Sequence, residues 1–220
     1  MGELNSINSE FNISKIKVDN EDKTIITILP GSRKNEVSKL LPIFLESAQK
    51  LWEENPNLFF VLPTVKTVSN LVKSMTADCL LPLQVVETQA ERYSAFRASE
   101  VAIAASGTVA LELAICHIPH LVGYKVSPFT AWIVSKIMKI QFVNLSNIML
   151  GRQIVPELLQ EQCISGNIVR TTNELLAKKD LYELQMYGFA KVKQTLSNGE
   201  QIPSDNAADF ILQKIKSRKI

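Results

Sequence analysis

The chain has 220 residues, 46% of them apolar, and its 24 Lys and Arg nearly balance 22 Asp and Glu. That amounts to one large domain, or one and a half, with enough apolar mass for a core; it excludes disorder throughout and argues against a globally basic nucleic-acid binder. No apolar run reaches the ~18 residues of a membrane span, no signal-peptide pattern opens the chain, and 8 Gly with 9 Pro are too few for a fibrous protein.

Residues 1–23 are rich in Asn, Ser, Asp, Glu and Lys without a sustained period, and read as a flexible lead-in. The regular part is expected over 24–220. Thr24–Leu29 is β-branched and almost wholly apolar, as a strand covered on both faces is. Pro30-Gly31-Ser32-Arg33 breaks it. Val37, Leu40, Leu41, Phe44, Leu45, Ala48, Leu51 and Trp52 then fall on one helical face, with Ser38 as the expected N-cap and Pro42 in the first turn.

The strand-then-helix unit repeats. Strands are expected at 58–62, 83–87, 101–104 and His120–Tyr124, and helices at 68–75, 90–98, 108–116 and 129–140. This alternation predicts right-handed crossovers and a parallel sheet. Further on, 156–162, 171–178 and 181–196 read as helices, 197–205 as a loop, and 206–216 as a last helix. Cys79, Cys116 and Cys163 form no CxxC pair and are expected to be three buried, reduced thiols of a cytosolic protein.

An open parallel sheet binds ligands beyond the carboxyl ends of its strands. Two such ends carry suggestive bends. In Pro30-Gly31-Ser32-Arg33 a glycine lets the backbone approach an anion, the following helix points amides at it, and Arg33 adds a planar cation. In Ala105-Ser106-Gly107-Thr108 there are small residues, a glycine and two hydroxyls at a helix start. Either bend alone is also an ordinary strand-to-helix turn. Two on one sheet point to a nucleotide. GxxxxGK[ST] is absent, and so is GxGxxG after the first strand, so neither a P-loop nor the usual dinucleotide fingerprint is present.

Glu112 stands one turn beyond Thr108. Its carboxylate either accepts from a ribose diol or is an exposed charge near a helix N-terminus. His117 and His120 are separated by Pro119 and read as structural or surface histidines rather than metal ligands, while Asp78, Glu87 and Glu91 read as surface charge. Ser106 lies outside any GxSxG elbow. From Leu113 to Pro156 there is no Asp or Glu, against Lys125, Lys136, Lys139 and Arg152. Within it, 129–140 presents Trp132, Ile133, Ile137 and Ile140 beside lysines. That is the composition of an interfacial helix, and equally of a sheet-covering helix with snorkelling lysines.

Taken together, Ile28–Arg33 with Glu36-Val37 and Leu40–Leu45, then Ala105–Glu112, Pro119 through Val122–Lys125, Asn144–Ile148 and Val155–Gln160, resemble the donor-domain half of lipid-A-disaccharide synthases. The blocks stand in that family's order over about 24–162. The resemblance implies an α/β fold: a Rossmann-like parallel sheet, the C-terminal domain of a GT-B glycosyltransferase. It implies an inverting transfer of 2,3-diacylglucosamine from its UDP form to 2,3-diacylglucosamine 1-phosphate, giving lipid A disaccharide 1-phosphate and UDP. No cofactor and no metal are expected, and no nucleic acid.

Carried onto this sequence, Gly31, Ser32 and Arg33 would hold the donor diphosphate with Ser106, Gly107 and Thr108. Glu112 would bind the uridine ribose, and Asn147 and Gln160 would line the cleft near the sugar or diphosphate. Here Ser146 replaces the proline common in the family before Asn147. Acylated substrates imply a membrane surface as a partner, and a cytoplasmic protein peripheral on the inner face of the bacterial inner membrane.

The resemblance covers the second half of such enzymes, so the acceptor domain and its general base would precede Met1. The resemblance then leaves room for a separate acceptor-domain chain as a partner, and this chain alone would bind UDP-sugar weakly without turnover. The alternatives are the donor half of another UDP-GlcNAc-using GT-B enzyme, such as a peptidoglycan GlcNAc transferase or a UDP-GlcNAc epimerase, and a non-catalytic nucleotide-binding fragment. All of these require Gly31 and Gly107 to face a common crevice.

Overall fold

The computed structural model describes residues 22–125 and 141–197. Among the described residues, six strands form one sheet: β1 (Thr24–Leu29), β2 (Leu58–Pro63), β3 (Leu83–Val86), β4 (Ser99–Ala105), β5 (His120–Tyr124) and β6 (Glu157–Leu159). All pair in parallel, in the order β3-β2-β1-β4-β5-β6. The helices are α1 (Lys34–Glu54), α2 (Ser69–Thr76), α3 (Gln89–Ala98), α4 (Thr108–Ile115), α5 (Leu145–Leu150), α6 (Ser165–Leu176) and α7 (Asp180–Ser197).

The sheet is covered on both faces, and the period of two in β1 shows how. Ile26 and Ile28 point into the larger core with Phe44 of α1, Val72 of α2 and Ile168 of α6. Ile25 packs with Ala95 and Ala98 of α3, and Leu29 with Phe96 of α3 and Leu113 of α4. Val122 of β5 meets Ala110 and Ala114 of α4 and Phe189 of α7. A strand buried on both faces favours apolar residues at nearly every position, which is why β1 and β2 read as near-continuous hydrophobic runs; the buried Thr27 hydroxyl of β1 pairs with that of Ser99. Gly123 has a packing reason to be glycine: a Cβ there would lie 2.9 Å from the Phe44 ring and 3.2 Å from the Cys163 sulfur.

Several expected boundaries are corrected. The first helix begins at Lys34, with Arg33 as N-cap, so Ser38 is not the cap and Pro42 lies inside the helix. Pro42 faces solvent, and the core face of Val37, Leu40, Leu41, Phe44, Ala48 and Leu51 carries the helix through it. The segment 156–162 is not a helix but β6 followed by a short 3-10 turn, Gln160–Gln162. Pairing with β5 (Val122 to Glu157, Tyr124 to Leu159) overrides its helix-forming composition, and a left-handed φ of 50° at Gln160 ends the strand. Helix α5 has no counterpart among the expected elements, and α6 starts at Ser165, ahead of the expected 171.

Of the three cysteines, all free, Cys163 is buried, Cys79 half-buried and Cys116 exposed, so the expectation of three buried thiols fails at Cys116. His120 is structural: it is fully buried, stacks on Phe189 at 5.2 Å, and holds Ile118 O at 2.8 Å from Nδ1. The expected helices 129–140 and 206–216, and the lead-in up to residue 21, lie outside the described residues. Among the described residues no helix is long and apolar enough to cross a membrane.

Candidate functional site

The strand order reverses direction between β1 and β4. This is the switch point of a doubly wound sheet, where the crossovers leave to opposite faces and a crevice opens beyond the strand ends. Both glycine bends sit there. Gly31 follows β1 with φ 109°, and Gly107 follows β4 with φ 153°, both in a region that side-chain-bearing residues rarely enter. They face one cavity of 340 Å³.

That cavity brings together Gly31, Ser32 and Arg33 from the first bend, Ser106, Gly107 and Thr108 from the second, and Glu112 one turn into α4. Gly107 is the N-cap of α4, so the bend leads directly into the helix amides. A Cβ on Gly107 would meet nothing within 4 Å, so the glycine serves backbone conformation and leaves the space over the bend open. Ser106 Oγ donates to Val143 O at 3.2 Å, tying this bend to the segment that precedes α5.

The first bend is closed differently. Arg33 Nη1 contacts Glu36 Oε1 at 2.7 Å; the arginine side chain is 80% exposed and the glutamate 24%. Glu36 also packs on Gly31, where a Cβ would lie 2.6 Å from its Oε2. Glycine is thus needed both for φ and for the close approach of that carboxylate. An exposed pair of this kind is worth roughly 0–1 kcal/mol, so an incoming anion can take Arg33 from Glu36 at small cost.

Three further residues with polar or charged side chains line the cavity that the chain order did not single out as ligand contacts: Glu36, Thr64 and Arg92. Thr64 follows β2, and its buried hydroxyl has no protein partner among the described residues. Arg92 stands on α3 and donates from Nη2 to Glu112 Oε2. The helix that carries it starts at a capping box. Glu91 N donates to Thr88 Oγ1 at 3.2 Å, and Glu91 Oε2 accepts from Thr88 N at 3.0 Å. The Thr88 hydroxyl, donating to Glu91 Oε2 at 2.7 Å, and then the Thr88 amide hold the Glu91 carboxyl below its ordinary range. Glu91 is therefore a cap rather than loose surface charge. Glu87 likewise has partners, Lys73 and Ser69, which lower its pKa.

Asn147 and Gln160 do not line this cavity. Asn147 is fully buried, and its amide is consumed by the β6 joint. Nδ2 donates to Val155 O at 2.8 Å and to Glu157 Oε1 at 2.7 Å, while Oδ1 accepts from the amides of Ile154 and Val155 at 2.8 and 2.9 Å. The Glu157 carboxylate also accepts from the amides of Val143 and Asn144. Gln160 begins the 3-10 turn after β6, two strands away from β4.

The family model of lipid-A-disaccharide synthetase (LpxB) matches residues 4–211. The chain belongs to this family. It is 38% identical over 199 residues to the lipid-A-disaccharide synthase of Rhodospirillum centenum, covering 90% of this chain and 50% of that protein. It is 36% identical over 194 residues to that of Persephonella marina, covering 87% and 51%. The chain thus spans about half the length of these lipid-A-disaccharide synthases.

Among solved structures it resembles the spinosyn rhamnosyltransferase SpnG at TM-score 0.56 and 16% identity, over 84% of this chain and 46% of that one. It also resembles MnaA of S. aureus, solved with UDP, at TM-score 0.54 and 15% identity, over 91% and 52%. At such identities the likeness concerns the fold alone: a single parallel Rossmann-like sheet, as in one half of a GT-B enzyme.

Proposed function

We propose that this domain is the donor-binding, C-terminal half of a lipid-A-disaccharide synthase, and that its cavity holds the UDP portion of UDP-2,3-diacylglucosamine. One observation carries the reading: the two glycine bends at the switch point open on the same cavity, with Arg33 and Glu112 on its wall. The α4 amides and the Arg33 guanidinium supply positive charge where the leaving diphosphate gains negative charge as the sugar departs. Glu112 accepts from the ribose hydroxyls. The acceptor, 2,3-diacylglucosamine 1-phosphate, and the base that takes its hydroxyl proton belong to the remainder of the enzyme. The 220-residue chain by itself binds UDP-sugar weakly and does not turn over.

Calorimetric titration with UDP tests the site. Arg33→Ala and Glu112→Ala each remove a charged hydrogen bond of about 1.5–3 kcal/mol, so affinity falls roughly 10- to 150-fold. Unchanged affinity in both variants rules the site out. Titration with UDP-diacylglucosamine against plain UDP-GlcNAc separates this reading from a donor half that uses the unacylated sugar.

The acid-free stretch from Leu113 to Pro156, with its three lysines and Arg152, supports peripheral association with an anionic membrane surface, where both acylated substrates reside. Sedimentation with phosphatidylglycerol vesicles checks this. Lys136→Glu with Lys139→Glu is expected to release the protein, and binding that survives the double change contradicts the assignment.

A further inference from the structure

Arg92 and Glu112 are 20 residues apart on different helices, and the sheet order brings them together at the cavity wall. Their side chains are 28% and 38% exposed, so the pair is neither buried in the core nor free in solvent. The guanidinium is fixed from behind as well: it lies 5.3 Å over the ring of Phe96, which is buried against Leu29 and Leu113. The capping box just before it fixes where α3 begins, and so where Arg92 projects.

A glutamate that must accept from two neighbouring hydroxyls has rotamer freedom to lose, and that loss weakens binding unless it is already frozen in the free protein. Holding one carboxylate oxygen does this without disabling it, because each oxygen has two lone-pair sites. We propose that Arg92 is a positioning residue: it holds the Glu112 carboxylate ready for the ribose diol and thereby sets the preference for ribonucleotide over deoxyribonucleotide. This rests on the reading that Glu112 meets the ribose. The other role open to a cation on this wall, a direct grip on the diphosphate, makes a different prediction. It would weaken every diphosphate ligand alike.

The full chain is titrated with UDP, 2′-deoxy-UDP and inorganic pyrophosphate, as wild type, Arg92→Ala and Arg92→Lys. The wild type is expected to prefer UDP over 2′-deoxy-UDP by about tenfold or more, the worth of one charged hydrogen bond. In Arg92→Ala that preference shrinks to about threefold or less, while pyrophosphate affinity stays within about threefold. Arg92→Lys, which keeps a cation within reach of Glu112, recovers most of the preference. Arg92→Gln answers the same question should the alanine variant fail to fold. A preference that survives the loss of Arg92 overturns the proposal, and so does a pyrophosphate affinity that falls as far as that for UDP. A wild-type chain that binds pyrophosphate yet does not distinguish the two nucleotides removes the ribose assignment of Glu112, and the role of Arg92 with it.

Discussion

Two polar regions of this molecule draw most of their residues from the family blocks, and they differ in what their polar atoms have left to do. At the β6 joint, both atoms of the Asn147 amide are engaged with protein partners, and the residue is sealed from water. At the switch point, the charged side chains are exposed or half-exposed, their partners are other side chains on the same wall, and the backbone turns through positive φ to leave room. A polar group already satisfied in the interior holds the fold together. A polar group paired loosely at a cavity can exchange its partner for a ligand.

The largest effect that can break this comparison is at Asn147. Alanine there leaves two amides, a carbonyl and a carboxylate short of a partner, all in the interior. The expected loss is about 3–5 kcal/mol in urea unfolding. A variant as stable as the wild type but weak in UDP binding would move Asn147 from the joint to the ligand.

His120 sharpens the closed side. Burial lowers its pKa from the ordinary 6.5 to about 4, only partly opposed by the hydrogen bond to Ile118. Between those values the unfolded chain binds a proton that the folded chain does not, so stability falls as pH drops through that window. The loss is about 3 kcal/mol in all. Unfolding at pH 7.5 and 4.5 measures most of it, and His120→Gln should flatten this part of the profile. An unchanged slope in that variant would contradict the assignment.

Arg33 sharpens the open side with the smallest change in the fold. Arg33→Ala is expected to reduce UDP affinity as stated, by about 1.5–3 kcal/mol, yet to alter stability by less than about 0.5 kcal/mol, since its pair with Glu36 is exposed. A stability loss matching the affinity loss would erase the distinction between the two regions.

The same contrast explains what could be read along the chain. Strand β5 is found at its expected bounds because it combines an apolar run with flanking breakers, which are local signals. The glycine bends were legible because a buried strand, a glycine and a helix start follow one another. Strand β6 was not, since three residues of Glu-Leu-Leu are held extended only by β5 beside them. The partners of Arg33 and Arg92 illustrate two degrees of the problem. Glu36 is three residues from Arg33, a local spacing open to inspection. Arg92 reaches Glu112 only because the sheet order sets α3 beside α4, which no spacing encodes. Asn147 stands in a family block whether it faces a ligand or the core, and only the hydrogen bonds tell which.

The most direct measurement is the response of the backbone amides to UDP, followed by NMR on the isotope-labelled 220-residue chain. With one shared site, the resonances of Gly31 and Gly107 shift together, with one dissociation constant, while Asn147 and Ile154 move little. Shifts at neither glycine, or at only one of them, would contradict a shared site for the diphosphate.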